Sequence, residues 1–480
     1  MTDGPLHLHL TEHLDEVVGG PARRRVILLL GSILGLQAAD TGSVGALAAP
    51  LERAFHIGNT DIGLLVTVTT LVGCVATLPF GTVADRHSRT TLLQIVVALW
   101  AAATIASALA TSFPMLLVTR LALGGVIAAA GPALASLFGD LVPAAERSRL
   151  WGYVLTGELI GAGIGILVAG GLSGPFGWRL AMGSLGLPAV FLAWAVRKWL
   201  PEPARGGQAH LHVGDDHIVT EEESDRPARR TPDPCDGLTF WQATRYVLRI
   251  RTNVALIVAS GLGYFFLAGL ETFAELYFRE RFGAGQSLAT VLFLLVAVGA
   301  VAGVVLSGRT TDSLIRKGRV NARIVVGSLA YLGTAVFFVP GALIHVLAVS
   351  MPIFFLAAFC VGAANPPVDA ARLDIVPSAL WGRAEAVRTA LRQVLQGAAP
   401  VIFGLVSEAF GGGGAGLSTG VDTSRTVVSA SAAHGLEMAF VVLSLPMLVG
   451  AWALWLCRRV YRRDVSAAQR AAAAPAPLAR

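Results

Sequence analysis

Charge is what this sequence has least of. Only 14% of its 480 residues are Asp, Glu, Lys or Arg, whereas soluble domains average about 25%. So few charges cannot clothe a soluble surface of this size. No Gly-x-x-x-x-Gly-Lys-Ser/Thr loop is present and no polar stretch is long enough to fold around one, so nucleotide hydrolysis is not expected. Cysteine is sparse. Cys74, Cys235, Cys360 and Cys457 show no metal-ligand spacing and read as small apolar side chains, with Cys235 in a polar linker. The alternation Leu6-His7-Leu8-His9 is too short for a metal site. No cleavable signal is expected, because the first 25 residues are polar and acidic and the run after Arg23-Arg24-Arg25 is too long for a signal core. The chain is expected to be no enzyme and to carry no metal or cofactor.

What fills the sequence instead is apolar: 54% hydrophobic residues, with a mean hydropathy of +0.65. A spanning helix needs about 20 apolar residues and a membrane-barrel strand about 10. The runs here are long and continuous rather than alternating, so an all-α integral membrane protein is expected. Twelve spans fall near 26–50, 60–80, 91–111, 115–138, 150–172, 178–199, 253–278, 288–308, 322–341, 346–370, 386–409 and 435–457. The domain reading is a tail over 1–25, a six-helix bundle over 26–199 and a linker over 200–252, then a second bundle over 253–457 and a tail over 458–480. Low hydrophobicity and mixed charge make the linker flexible; the Gly/Ser/Thr-rich loop from Gly411 to Ser431 reads as mobile, and the tail after Asp464 as disordered. With both termini in the cytoplasm, about five of the 37 Lys and Arg (Arg53, Arg179, Arg279, Arg281, Arg425) fall outside, which sets the orientation in a cell membrane. The net charge of +6 does not point to nucleic acid, because the basic residues sit in the loops flanking the spans.

Between spans two and three lies a charged knot, Gly81-Thr-Val-Ala-Asp85-Arg86-His-Ser-Arg89. A weakened copy, Gly308-Arg-Thr-Thr-Asp312-Ser-Leu-Ile-Arg316-Lys317, follows 227 positions later. Asp140-Leu-Val-Pro143 and Asp374-Ile-Val-Pro377 repeat at an offset of 234. Two landmarks at similar offsets indicate two six-helix units in parallel orientation. Transporters built this way hold substrate between the halves near the bilayer midplane and rock one half against the other.

Gly81-x-x-x-Asp85-Arg86-x-x-Arg89 resembles the signature loop between the second and third helices of the major facilitator superfamily, and Arg120-x-x-x-Gly124 is similar to its fourth-helix pattern. Within it, Gly63-Leu-Leu, Arg120-Leu-Ala-Leu-Gly124, Glu146-Arg147-Ser-Arg149, Asn365-Pro and Val376-Pro377 resemble the Spinster branch, which is associated with lysophospholipids and sphingoid lipids. Where that branch carries Asp-Arg in helix one and a glutamate in helix four, this sequence has Asp40-Thr41 and Ile127. The resemblance implies that helices one, four and seven line a central cavity, bringing Arg120 toward Asp40. It also implies that Asp85 ties the halves together near the start of span eleven, with Arg388 and Arg392 as candidate partners.

A charge at the bilayer centre costs roughly 2.5–3.5 kcal/mol on insertion scales, so each intramembrane charge needs a reason. Asp40, with Gln37 one turn earlier, is a candidate proton or substrate site with Arg120; the alternative is a permanent ion pair. Gly157, Gly161 and Gly165 form a ladder that lets helices approach closely, and Glu158 beside it faces another surface. The stretch resembles the glycine-rich fifth helix of drug–proton antiporters without their Gly-Pro pair. Glu271 and Glu275 share a helix face, with Glu271 the deeper candidate and Glu275 paired along the surface with Arg279. Tyr264-Phe265-Phe266, Phe273 and Tyr277 either line an amphipathic substrate's path or face lipid. Asn365-Pro366-Pro367 is expected to break span ten as a gate, near an inner cluster of Asp369, Arg372 and Asp374. Gly81, Asp85, Arg86, Arg89, Gly308, Asp312, Arg316 and Arg388 are expected to act in gating rather than on substrate. The expectation is a monomeric, proton-coupled secondary transporter of a small amphipathic or lipid-like molecule, in contact with membrane lipids. A drug or natural-product efflux pump and a non-transporting receptor are the alternatives.

Overall fold

The computed structural model describes residues 15, 18–57, 59–203, 238–283, 286–410 and 430–473. These residues are helical nearly throughout, with no strand among them. The first bundle comprises α1 (Pro21–Ala46), the short α2 (Ala48–Phe55), α3 (Asn59–Arg86), α4 (Arg89–Ala108), α5 (Phe113–Ile127), α6 (Ala130–Leu141), α7 (Arg147–Ser184) and α8 (Gly186–Trp199). A surface helix α9 (Phe240–Arg249) leads into the second bundle: α10 (Arg251–Phe282), α11 (Gln286–Arg316), α12 (Ala322–Leu343), α13 (Leu347–Ile375), α14 (Trp381–Phe410) and α15 (Ala430–Ala473).

Eleven segments among the described residues are long and apolar enough to cross a membrane. One of them, Ala144–Trp199, has 56 residues, and would measure roughly 84 Å if straight, against about 30 Å of hydrocarbon. It reverses at Gly177, whose φ of 80° and ψ of 162° are non-helical, so it holds two crossings and the described residues make twelve. The fourth crossing is kinked between α5 and α6. Pro132 has no N–H to give the Ala128 carbonyl, and the Thr77 hydroxyl donates to that carbonyl instead at 2.9 Å. Exposed Leu, Val and Ile side chains cover the outer faces of both bundles, as contact with lipid tails requires.

Glycine sets the closest approach in the first bundle. A Cβ on Gly157, Gly161 or Gly165 of α7 would collide with the backbone of Gly31, Gly35 or Ala39 of α1. The ladder is a packing device, and it turns Glu158 away from that interface.

Three sequence expectations change here. Asn365, Pro366 and Pro367 do not break the tenth crossing; α13 runs through them to Ile375. The prolines are buried, with the Pro366 ring packed beside Gly152 of the first bundle. The segment read as linker ends in a helix, α9. The C-terminal tail continues as helix to Ala473. The loop over 411–429, most of the linker (204–237) and the side chains of Glu275 and Arg279 lie outside the described residues.

Candidate functional site

Both charged turns lie at the end of the bundle where residues 203 and 238 sit, the linker end. There α14 begins against α3, and α7 begins against α11. Asp85 closes the first junction. Its carboxylate accepts the backbone N–H of Gly382 at 2.8 Å and of Arg383 at 3.1 Å, and the Arg383 Nε at 2.7 Å. A carboxylate at a helix N-terminus satisfies donors that the helix itself cannot and meets the positive end of its dipole. Gly81 makes the contact possible, since a Cβ there would sit 2.6 Å from the Ala386 Cβ. The charged partner is Arg383, and the expected Arg388 and Arg392 serve elsewhere.

The weakened copy does the same job. Asp312 accepts the N–H of Ser148 at 3.3 Å and of Arg149 at 2.7 Å, at the start of α7. Gly308 lies on the same backbone, where a Cβ would meet the Ser148 oxygen at 2.6 Å. Ser148-Arg149 and Gly382-Arg383 are 234 positions apart, so the two junctions are related by the internal repeat.

Arg89 does not join the halves. It pairs with Asp140 and with Glu202, 2.7 Å from its Nε, inside the first bundle. Its counterpart is Arg323, which pairs with Asp374; the expected Arg316 is exposed, as is Arg86. Glu202 lies outside the spans. Burial works against its ionised form, but the Arg89 guanidinium and the Thr90 N–H outweigh that and hold its carboxyl below the usual range. Further links cross the halves. Arg147 reaches Asp374 at 3.0 Å and lies over the Trp381 ring at 5.1 Å. Arg323 Nε donates to the Ser148 hydroxyl at 3.1 Å.

Deeper in the molecule the halves differ. In the first bundle, Arg120 Nη1 donates to Asp40 Oδ2 at 2.8 Å, and both residues are 2% exposed. Arg120 also touches the Met182 sulfur at 3.3 Å, while Asp40 Oδ1 has no partner. Gln37, one turn away, lines a narrow apolar crevice with Ile33, Val97 and Trp100. The second bundle carries a larger cluster. Arg388 binds Asp369 at 2.7 Å, Glu385 at 2.8 Å and the Ser260 hydroxyl at 3.1 Å. Arg372 pairs with Glu385, and Trp151 of the first bundle donates its Nε1–H to Asp369 at 3.0 Å. Phe138 and Trp151 occupy the repeat positions of Arg372 and Glu385, as a T-shaped ring pair 4.5 Å apart.

Glu158 and Glu271 remain. They interact electrostatically with each other across the halves, and Glu158 also with Arg392, Asp369 and Arg388. Neither has an ion-pair partner within 4.0 Å among the described residues, and Glu271 is exposed. Arg392 lies over the Tyr264 ring at 4.0 Å with its Nε unbonded. Of the other aromatic candidates, Phe265, Phe266 and Tyr277 are buried in the second bundle's core, and Phe273 stacks on Phe403.

Sequence reasoning missed Arg383, Glu385, Arg323, Arg147 and Trp151. The 234-residue offset was the available signal: applied to Arg89, Asp140 and Arg149, it leads to Arg323, Asp374 and Arg383.

The profile of the Major Facilitator Superfamily matches residues 29–400, and the chain belongs to that family of membrane transporters, which are not enzymes. It is 30% identical over 182 residues to the 4-hydroxybenzoate transporter PcaK of Pseudomonas putida, covering 38% of this chain and 40% of the relative. The PcaK of Pseudomonas aeruginosa is 31% identical, covering 38% and 41%. The chain thus spans about two fifths of the length of these curated relatives. Among solved structures, a bacterial homolog of the human lysosomal transporter Spinster, inward-facing and unoccupied, aligns with a TM-score of 0.59 at 20% identity, covering 92% of this chain and 98% of that one. The human organic anion transporter MFSD10 aligns with a TM-score of 0.64 at 16% identity, covering 90% and 100%.

Proposed function

We propose that this multi-pass member of the Major Facilitator Superfamily is a secondary active transporter. It moves a small amphipathic molecule with an ionised head group by alternating access, coupled to protons. The observation that carries this reading is the pair Glu158 and Glu271, which have no ion-pair partner within 4.0 Å among the described residues, while the nearby Arg388 and Asp369 are paired with each other. Unpaired acids at membrane depth are costly unless they meet a proton or a cation in the working cycle. Asp40, paired to Arg120, is a second proton-accepting site: protonation releases the guanidinium. One proton crossing 100 mV supplies about 2.3 kcal/mol, enough for a roughly 50-fold substrate gradient. The linker end faces the cytoplasm in this reading, so the junctions at Asp85 and Asp312 close the protein on the cytoplasmic side.

A second reading, uptake of a small aromatic anion, draws on Arg392 stacked on Tyr264 with a free donor, and on the similarity to 4-hydroxybenzoate transporters. Purified protein in liposomes, given a pH step, separates the two. Under the first reading a labelled lysolipid or amphipathic amine moves and 4-hydroxybenzoate does not. Asp40→Asn and Glu271→Gln each lower the pH-driven rate at least tenfold. Unchanged pH dependence in both variants would reject the proton roles. Transport of 4-hydroxybenzoate alone would favour the second reading.

A further inference from the structure

We propose that α9 is a docking surface for anionic lipid head groups, and that its occupancy reinforces the junction at Asp85. The helix is short and strongly two-faced. Thr239 caps it through a capping box with Gln242, and Ala243 and Val247 are fully buried. The opposite arc carries Trp241, which is 76% exposed, and Leu248, and Tyr246 is exposed on the flank between that arc and the buried face. Arg245 and Arg249 are exposed on the same arc as Trp241, and Arg251 follows where α10 begins. Those three arginines make no hydrogen bond or ion pair among the described residues, and α9 contains no acid.

A helix presenting Trp, Leu and Tyr beside two arginines fits one occupant best, a membrane surface carrying negative head groups. Its surroundings agree. At the same end, Lys198 lies over the Trp194 ring at 4.9 Å and Arg458 over Trp455 at 4.0 Å, all on outward faces. Such tryptophan–cation pairs mark the level where a bilayer's apolar core gives way to head groups. Helix α9 therefore lies at head-group depth, with its arginines free to reach phosphates.

The link to the junction is direct. Leu238, one residue before the cap, accepts the Arg383 Nη1–H at 2.9 Å, while the same guanidinium holds Asp85 through Nε. Lipid that pins α9 in place also pins the carbonyl that orients Arg383. Bilayers rich in anionic lipid then favour the state closed at the linker end.

The test uses the full-length chain with its four cysteines replaced by serine and Ser307→Cys added as a buried, isosteric reporter at the linker end. It is reconstituted in vesicles of phosphatidylcholine alone or with one third phosphatidylglycerol. Alkylation of the reporter is expected to be about fivefold slower in the anionic vesicles, and high salt should erase the difference. Arg245→Gln with Arg249→Gln should label at one rate in both vesicle types, with an unchanged thermal midpoint because neither side chain is bonded to the fold. Equal rates for the parent protein in both lipids would overturn the proposal. So would a lipid effect that survives in the double variant.

Discussion

The two junctions at the linker end share one design and differ in one side chain. At each, an aspartate from the end of a crossing accepts two backbone N–H groups at the start of a helix in the opposite half. At each, a glycine one turn earlier lets the two helices meet. The arginine that follows behaves differently. Arg383 turns back onto Asp85 at 2.7 Å, whereas Arg149 turns away to Glu146 at 3.0 Å. Asp312 is left with Arg323 at 4.0 Å, beyond hydrogen-bond range. Hydrogen bonds to charged groups contribute about 1.5–3 kcal/mol each, and a guanidinium–carboxylate pair adds charge to geometry. The first junction is an ionic lock and the second is a helix cap. The two related halves thus carry the cap at both junctions and the guanidinium–carboxylate pair at only one.

The sharpest way to break this comparison is to remove the two arginines in turn. Arg383→Ala leaves Asp85 buried with only backbone donors. Breaking one side of a buried pair costs about 3–5 kcal/mol, so the population open at the linker end should rise by at least about 100-fold. Arg149→Ala removes a partly exposed i,i+3 pair and should shift it less than about threefold. Alkylation of a reporter cysteine buried between the halves reads both. Equal shifts would show that the arginines are equivalent and that the lock assignment is wrong.

That asymmetry was only half legible in the residues. Twelve crossings, the duplication and Asp85, Asp140 and Asp374 follow from hydropathy and local spacing, because apolar length and short motifs are local properties. The partner of Asp85 was not legible, since it depends on where α14 starts. The turn Ser378–Leu380 places that start at Trp381, five residues before the expected span. Seven extra residues in the second turn also move the working arginine from Arg316 to Arg323. Local offsets followed the wrong base, while the 234-residue offset follows the right one. The prolines of α13 show the limit of a local rule: they end a helix in water, but here the neighbouring half packs against them and the helix continues.

Neutralising the two acids gives a smaller contrast. In Asp85→Asn a single amide oxygen faces three donors and the ionic lock is lost, for a cost of about 2 kcal/mol. In Asp312→Asn the amide oxygen keeps one of the two N–H groups, which reach separate carboxylate oxygens in the parent, and no guanidinium is deprived of a hydrogen bond, so about 1 kcal/mol is expected. The same accessibility assay, with the cysteine placed at either junction, should rank the first variant above the second. The reverse order would place the main lock at Asp312.

The finest contrast lies within each half, beside the ion pairs Arg89–Asp140 and Arg323–Asp374. The first has an extra acid on its arginine, Glu202 at 2.7 Å. The second has an extra phenol on its aspartate, the Tyr461 hydroxyl donating at 2.9 Å. Glu202 has its carboxyl pKa depressed in the fold, so its contribution to stability is present above the unfolded value near pH 4.3 and is lost as pH falls through the lower folded value. It is partly solvent-exposed, so the contribution is below about 1 kcal/mol. Glu202→Gln should therefore lower the thermal midpoint slightly at pH 7, and the gap to the parent should close as the pH drops below about 4. Tyr461→Phe removes a hydrogen bond whose donor does not titrate in that range, so its deficit should persist while Asp374 remains ionised. Thermal melts of parent and both variants between pH 3 and pH 7 decide it. A gap that widens on acidification for Glu202→Gln would mean that this carboxyl is held protonated in the fold, and the first half's extra partner would then be a hydrogen-bond donor like the second's.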